Sequence, residues 1–237
     1  MPDSHKESSG SSSPKKQFDI YKGAGKSNRV LVAAFRAVTR IIARTYIRLN
    51  VEGLENVPDE GACIIITNHL SGLDPFLIGI PMDRTIYCLA KVEIYQSALI
   101  TWIMNSLGYI PLDRSSTDIS AMRIVLRLLK NGAAVGISPE GTRSTTGEIL
   151  PFTDGATKLA LHAQVPILPV AVHGTRELMP PGTYGFKSGK AYIKIGELFH
   201  LSDSYGKPTT PELLKENTAI LQAKVSELYE EIRQRPL

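Results

Sequence analysis

The chain has 237 residues, 43% hydrophobic and 21% charged, enough to bury a sizeable core as one domain with appendages and too apolar to be disordered throughout. The net charge of +4, biased towards the N-terminus, suits an acidic partner; the two cysteines, Cys63 and Cys88, sit in apolar runs, at no metal-ligand spacing, as expected of a reducing compartment rather than a disulfide framework. No apolar run reaches the roughly eighteen residues of a spanning helix, and the polar start lacks an apolar signal core, so neither a membrane-spanning nor a secreted protein is expected.

Residues 1–25 are rich in Ser, Lys and Gly and bury too little to offset the entropy of ordering, which reads as a disordered tail. Residues 26–50 follow as a basic amphipathic helix, capped by Ser27 or Asn28 and running from Arg29 to about Leu49. Arg36, Arg40, Arg44 and Arg48 recur every four residues along it, and Val30, Val38 and Ile41 are among the apolar residues on the rest. Two readings stand: a core-packed helix with a solvated basic face, or an interfacial helix with its apolar side in the acyl region and its guanidiniums on anionic headgroups.

Residues 51–237 alternate apolar strand-like runs with helical patterns. Strands are expected at Ala62 to Thr67, Thr85 to Ala90, Ala133 to Ser138, Ile167 to Val172 and Ala191 to Gly196, with a short extended piece at Tyr109 to Leu112. Helices are expected at Ile94 to Leu107, Thr117 to Lys130, Gly155 to Ala163 and Pro211 to Arg235. Near-continuous apolar strands separated by helices predict a single α/β domain: a mostly parallel central sheet flanked by helices, plus the N-terminal helix. In such sheets active residues gather beyond the carboxyl ends of strands. His69, Glu140 to Ser144 and His173 each follow a strand and are predicted to share one edge.

The central loop is Thr67-Asn68-His69-Leu70-Ser71-Gly72-Leu73-Asp74-Pro75. It reads as a turn out of a buried strand into a helix, with Asp74 as N-cap and Pro75 as first helical residue. Folded back at Ser71-Gly72, the loop lets Asp74 reach one imidazole nitrogen of His69 while the other faces outward, as a general base requires. The plainer reading is a solvated loop histidine and an ordinary Asp-Pro helix start. Arg143 offers a planar fork suited to phosphate, Gly141 allows close backbone approach, and Glu140 could hold the arginine or a substrate hydroxyl. The bland counterpart is a turn with solvated charges. Lys91 is a further candidate cation, with a snorkelling surface lysine as its default. There is no Gly-x-Ser-x-Gly elbow and no cysteine placed with a histidine, so the base would activate something brought from outside, water or an alcohol.

Four blocks in order make the chain resemble the 1-acylglycerol-3-phosphate acyltransferases of the glycerolipid acyltransferase superfamily. They are Asn68-His69-x-Ser71-x-x-Asp74, Gly108-x-Ile110-Pro111-x-Asp113-Arg114, Glu140-Gly141-Thr142-Arg143-Ser144, and Val165-Pro166-Ile167-x-Pro169-Val170. The resemblance implies that His69 takes the proton from the 2-hydroxyl of a lysophosphatidate while Asp74 orients the ring. The alkoxide then attacks an acyl thioester directly, giving phosphatidate with no covalent acyl-enzyme. It implies substrate binding by Lys91, Arg114, Glu140, Gly141, Thr142 and Arg143, and an acyl or donor side at Val165, Pro166, Ile167 and Pro169. The thioester, acyl-CoA or acyl carrier protein, is a co-substrate; no metal or resident cofactor is expected. The partners implied are lipid substrates, an anionic membrane surface and an acyl carrier protein, and no nucleic acid, with the enzyme peripheral on the cytoplasmic face of a membrane. Alternatives are another lysolipid or glycerol 3-phosphate as acceptor, or a lipid or thioester hydrolase.

Overall fold

Short β-branched runs too apolar to face water on either side assemble into one sheet. The computed structural model describes residues 19–113, 118–180, 182–183, 185 and 187–237. The strands are β1 (Leu49–Glu52), β2 (Cys63–Thr67), β3 (Ile86–Lys91), β4 (Tyr109–Leu112), β5 (Ala134–Ile137), β6 (Ile167–His173) and β7 (Ala191–Ile195). They lie in the order β1-β7-β6-β2-β5-β3-β4, every pairing parallel except β6 with β7.

The helices are α1 (Arg29–Ile42), α2 (Asp74–Gly79), α3 (Ala98–Ser106), α4 (Ile119–Lys130), α5 (Gly155–Ala163), α6 (Thr175–Leu178) and α7 (Pro211–Ile232). Strand alternation sends Ile64, Ile66 and Val135 to one face, where they pack with Val125 and Leu128 of α4, Leu159 and Ala160 of α5, and Leu221 and Val225 of α7. Cys63, Ile65 and Ala134 point the other way, onto Leu77 and Ile78 of α2 and onto Ala43 and Ile47 beyond α1. The expected α/β class, mostly parallel sheet and single domain are what the chain adopts.

Three expectations change. Residues 1–18 of the expected tail lie outside the described residues, but 19–25 pack: Ala24 is buried, and Tyr21 donates its hydroxyl to Asp118 Oδ2 at 2.6 Å. The N-terminal helix ends sooner than Leu49. After a π turn over Ala43–Ile47, Arg48 takes a left-handed conformation (φ 51°), and Leu49–Glu52 leaves to pair with β7.

The arginine line, read either as a solvated face or as a headgroup contact, is partly turned inward. Arg40 Nε donates to Ile80 O at 2.9 Å, where α2 ends with carbonyls its own turns cannot satisfy, and Arg36 Nη2 to Arg84 O at 2.8 Å in the loop before β3. With α1 docked by its cations and by Phe35 against Phe76, part of its apolar surface, Val30, Val38 and Ile41, faces out. No residue of α1 is buried, and Val30 is 79% exposed and Ile41 66%. Among the described residues no helix is long and apolar enough to cross a membrane.

Candidate active site

The site forms where β2, β5 and β6 end side by side. As β2 leaves the sheet, Asn68 extends the ladder with its side chain, donating from Nδ2 to Val172 O at 2.9 Å and accepting Val172 N–H on Oδ1 at 2.8 Å. Fully buried and satisfied at both ends, that amide sets where the next residue emerges.

His69 Nδ1 lies 2.8 Å from Asp74 Oδ2. The same oxygen accepts the N–H groups of Leu70 at 2.7 Å and Ser71 at 2.8 Å. Asp74 is the first residue of α2 and does not cap it. Leu73 is the N-cap, and the Asp74 carboxylate folds back over its own loop, because two loop N–H groups and the imidazole meet it there. It is 1% exposed and the His69 side chain 17%. A carboxylate can only accept, so Nδ1 carries the hydrogen and Nε2 is the basic nitrogen, with no protein partner among the described residues.

Glu140 braces the opposite side of the loop. Its Oε1 accepts the backbone N–H of His69 at 2.7 Å, its Oε2 that of Leu150 at 3.0 Å, and the Ser144 N–H returns to His69 O at 2.7 Å. Burial raises the Glu140 carboxyl to about 7, against the lowering effect of the two N–H donors. Each oxygen accepts a backbone N–H, so Glu140 braces two loops while also lining the cavity. Gly141 holds a positive φ of 70°, which lets the loop turn away immediately after the brace.

The other predicted site residues divide by position. Gly141 and Thr142 line the cavity beside His69. Arg143 Nη1 lies 3.8 Å from where a Cβ on Gly72 would stand, placing its guanidinium against the His69 loop, with no ion pair or hydrogen bond among the described residues. Lys91 ends β3 at the same sheet edge, exposed and outside the cavity lining. Arg114 lies outside the described residues. Val165, Pro166, Ile167 and Pro169 do not line the cavity: Val165 and Pro166 lie in the loop before β6 and Ile167 begins the strand, at the edge away from His69, while Pro169 sits within the strand beside Ile66. Ile167 pairs with Ile64 and bridges to Phe199, so the block packs the sheet. In a parallel sheet, only residues at the strand's other end could face the histidine.

A cavity of about 600 Å³ opens at His69 and wraps the edge of the sheet. One lobe, under α2, is walled by Ile65, Ile78, Ile86 and Cys88; the other, under α4 and α5, by Leu89, Leu112, Val125, Ile137 and Leu159. The floor of the first lobe is Gly136, which pairs with both Ile65 and Cys88; a Cβ there would stand 3.0 Å from Cys88 Sγ. Sequence reasoning missed this residue, although a glycine inside an apolar strand signals close approach of something to the backbone. Burial pushes the Cys88 thiol up to about 12, so it lines the cavity as an inert thiol. No cluster of three or more His, Cys, Asp or Glu able to hold a metal occurs among the described residues. The arrangement can accept a proton at His69 Nε2 beside an apolar chamber and the Arg143 guanidinium.

A family model described as Acyltransferase matches residues 48–173. The chain is 30% identical over 187 residues to the 1-acyl-sn-glycerol-3-phosphate acyltransferase of Bacillus subtilis, covering 78% of this chain and 90% of that protein. It is 32% identical over 143 residues to the chloroplastic 1-acyl-sn-glycerol-3-phosphate acyltransferase BAT2 of Brassica napus, covering 59% of this chain but only 41% of that protein's length. Among solved structures, the 1-acyl-sn-glycerophosphate (LPA) acyltransferase PlsC from Thermotoga maritima superposes with a TM-score of 0.68 at 28% identity, over 86% of this chain and 81% of that one.

Proposed function

The chain belongs to this acyltransferase family, and on that premise we propose that it moves a fatty acyl group from a thioester to the 2-hydroxyl of lysophosphatidate, giving phosphatidate. His69 Nε2 takes the hydroxyl proton as the oxygen attacks the thioester carbonyl. Asp74 holds the ring and balances the imidazolium that forms. The C–S bond breaks as the tetrahedral intermediate collapses, and the departing thiolate receives the proton from His69. The donor is acyl-CoA or acyl carrier protein.

The observation that carries this reading is the 2.8 Å contact between His69 Nδ1 and Asp74 Oδ2 at the mouth of an apolar chamber. General-base assistance of this kind contributes about 10²- to 10⁴-fold, so holding the two substrates together supplies the rest of the acceleration. Arg143 serves the acceptor's phosphate as a bidentate donor. The cavity lobes take acyl chains, whose removal from water is their main source of affinity.

Because the acceptor is a lipid, the enzyme works on a bilayer surface, and the outward apolar face of α1 is its contact. Arg29 and Arg44, without protein partners among the described residues, flank that face for anionic headgroups. Incubating the protein with lysophosphatidate and acyl-CoA, or acyl carrier protein thioester, and identifying the products tests the assignment. Phosphatidate supports it; fatty acid released at the same rate without acceptor makes the protein a hydrolase, and phosphatidate absent with every donor removes the acceptor assignment.

A further inference from the structure

A helix packed in water turns its apolar side inward; α3 does so with Met104 but also turns large apolar residues outward. Thr101 and Asn105, one turn apart, are buried on its inner side, and Thr101 Oγ1 and Asn105 Oδ1 have no hydrogen-bond partner. Leu99 and Trp102 stand outward, 66% and 57% exposed, with Ile103 beside them. Between Glu93 and Asp113 the sequence contains no charged residue. The helix begins soon after β3 leaves the sheet at the edge where His69 sits, and it abuts α1: Asn28 N donates to Ser106 O at 2.8 Å, and Asn105 Nδ2 to Lys22 O at 3.0 Å.

We propose that Leu99, Trp102 and Ile103 seat α3 in the interfacial layer of an anionic bilayer, as a second anchor beside α1. The inference rests on the lipid-acceptor reading above and adds a surface that reading does not use. Charge singles out the occupant. No acidic residue lies between Asp19 and Glu52, and Lys22, Lys26 and Arg29 border the junction of the two helices. Arg127 joins them, its Nη2 3.6 Å from where a Cβ on Gly25 would stand. An apolar face rimmed by cations matches acyl chains beneath anionic headgroups, with the indole at the level where tryptophan concentrates in membranes. A second copy of the chain fits poorly, since a twofold interface would set this cationic rim against itself. Two anchors on separate elements also fix orientation, which a single helix free to roll in the interface does not.

Trp102 is the chain's one tryptophan, so its fluorescence reports the position of α3 directly. With vesicles of equimolar phosphatidylglycerol and phosphatidylcholine, emission of the full-length protein shifts to shorter wavelength, becomes shielded from aqueous acrylamide, and is quenched by lipids brominated in the acyl chain. The Leu99→Ser/Trp102→Ser protein partitions onto the same vesicles about a hundredfold less well, while its turnover of detergent-dispersed substrate is unchanged. Vesicle-bound protein whose Trp102 emission and acrylamide quenching match those in buffer overturns the inference and leaves bilayer docking by α1 standing. Absence from the vesicles overturns both. Shielding of Trp102 in buffer alone, together with a doubled mass in sedimentation, gives the face to a second copy and also overturns it.

Discussion

Glu140 holds the backbone of His69: its Oε1 accepts the His69 N–H at 2.7 Å while Oε2 accepts the Leu150 N–H at 3.0 Å. The loop that follows β5 is thereby pinned to the loop that follows β2, and the imidazole is aimed from behind by Glu140 and from the side by Asp74. Glu140→Gln replaces one acceptor oxygen with an amide that opposes an N–H. Its kcat is expected to fall about tenfold or more, with the KM for lysophosphatidate within about twofold of the parent, since a misaimed base slows chemistry without removing a substrate contact. A large rise in KM at constant kcat would return Glu140 to direct substrate binding.

The same carboxyl carries a pH signature. Its pKa in the folded protein is raised by burial from the ordinary 4.5 to about 7, so the native state binds the proton more tightly than the unfolded chain. The sign follows: Glu140's contribution to stability is greatest below about pH 4.5, declines as the pH climbs towards 7, and is level above it. Melting temperatures of the parent and Glu140→Gln proteins at pH 5 and pH 7.5 test this. The parent is expected to lose ground against the variant at the higher pH, and an equal gap at both values would contradict it.

His69→Ala and Asp74→Asn are expected to lose transfer very unequally. The first removes the base and costs about 10³-fold or more in kcat. The second keeps the volume but can donate to the ring and offers a weaker acceptor to the Leu70 and Ser71 N–H groups, so it costs both rate and some stability. Single-turnover rates with circular dichroism melts separate the two effects, and parent-like turnover by His69→Ala would remove the mechanism.

Arg143→Ala is expected to raise the KM for lysophosphatidate about tenfold or more, and Arg143→Lys to recover only part, because an ammonium lacks the planar fork that meets a phosphate with two parallel bonds. Acceptors lacking the phosphate should respond little. An equal effect on phosphorylated and unphosphorylated acceptors would place the guanidinium elsewhere.

Gly136→Val puts side-chain atoms into the floor of the lobe under α2, where even a Cβ meets Cys88 Sγ at 3.0 Å. A β-branched residue suits the strand, so the fold is expected to survive with modest destabilisation. Competition between thioesters of different length should then shift towards shorter chains, each excluded methylene being worth about 0.8 kcal/mol of lost burial. An unchanged length profile would assign that lobe no acyl chain.

Local pattern was enough for much of this. Apolar runs such as Ile64-Ile65-Ile66 announced buried strands, and the helices between them implied parallel neighbours, so the loops carrying His69 and Glu140 had to emerge at one edge. Spacing within the His69 loop brought Asp74 within reach of the imidazole, since only a turn could join them. These are consequences of periodicity and chain reach, which operate over a few residues. What tertiary packing alone decided involves partners distant in sequence. Glu140 meets His69 across 71 positions and becomes a brace. Arg36 finds Arg84 O across 48 positions, so part of a basic stripe turns inward and Val30, Val38 and Ile41 of α1 turn outward. Val165 to Ile167 fall towards the far end of their strand from the histidine and Pro169 packs beside Ile66 inside the sheet, and Gly136 becomes a cavity floor because Cys88 and Ile65 flank it. A side chain's partner depends on which strands neighbour one another and which carbonyls the next helix leaves unsatisfied, and neither is encoded in the few residues around it.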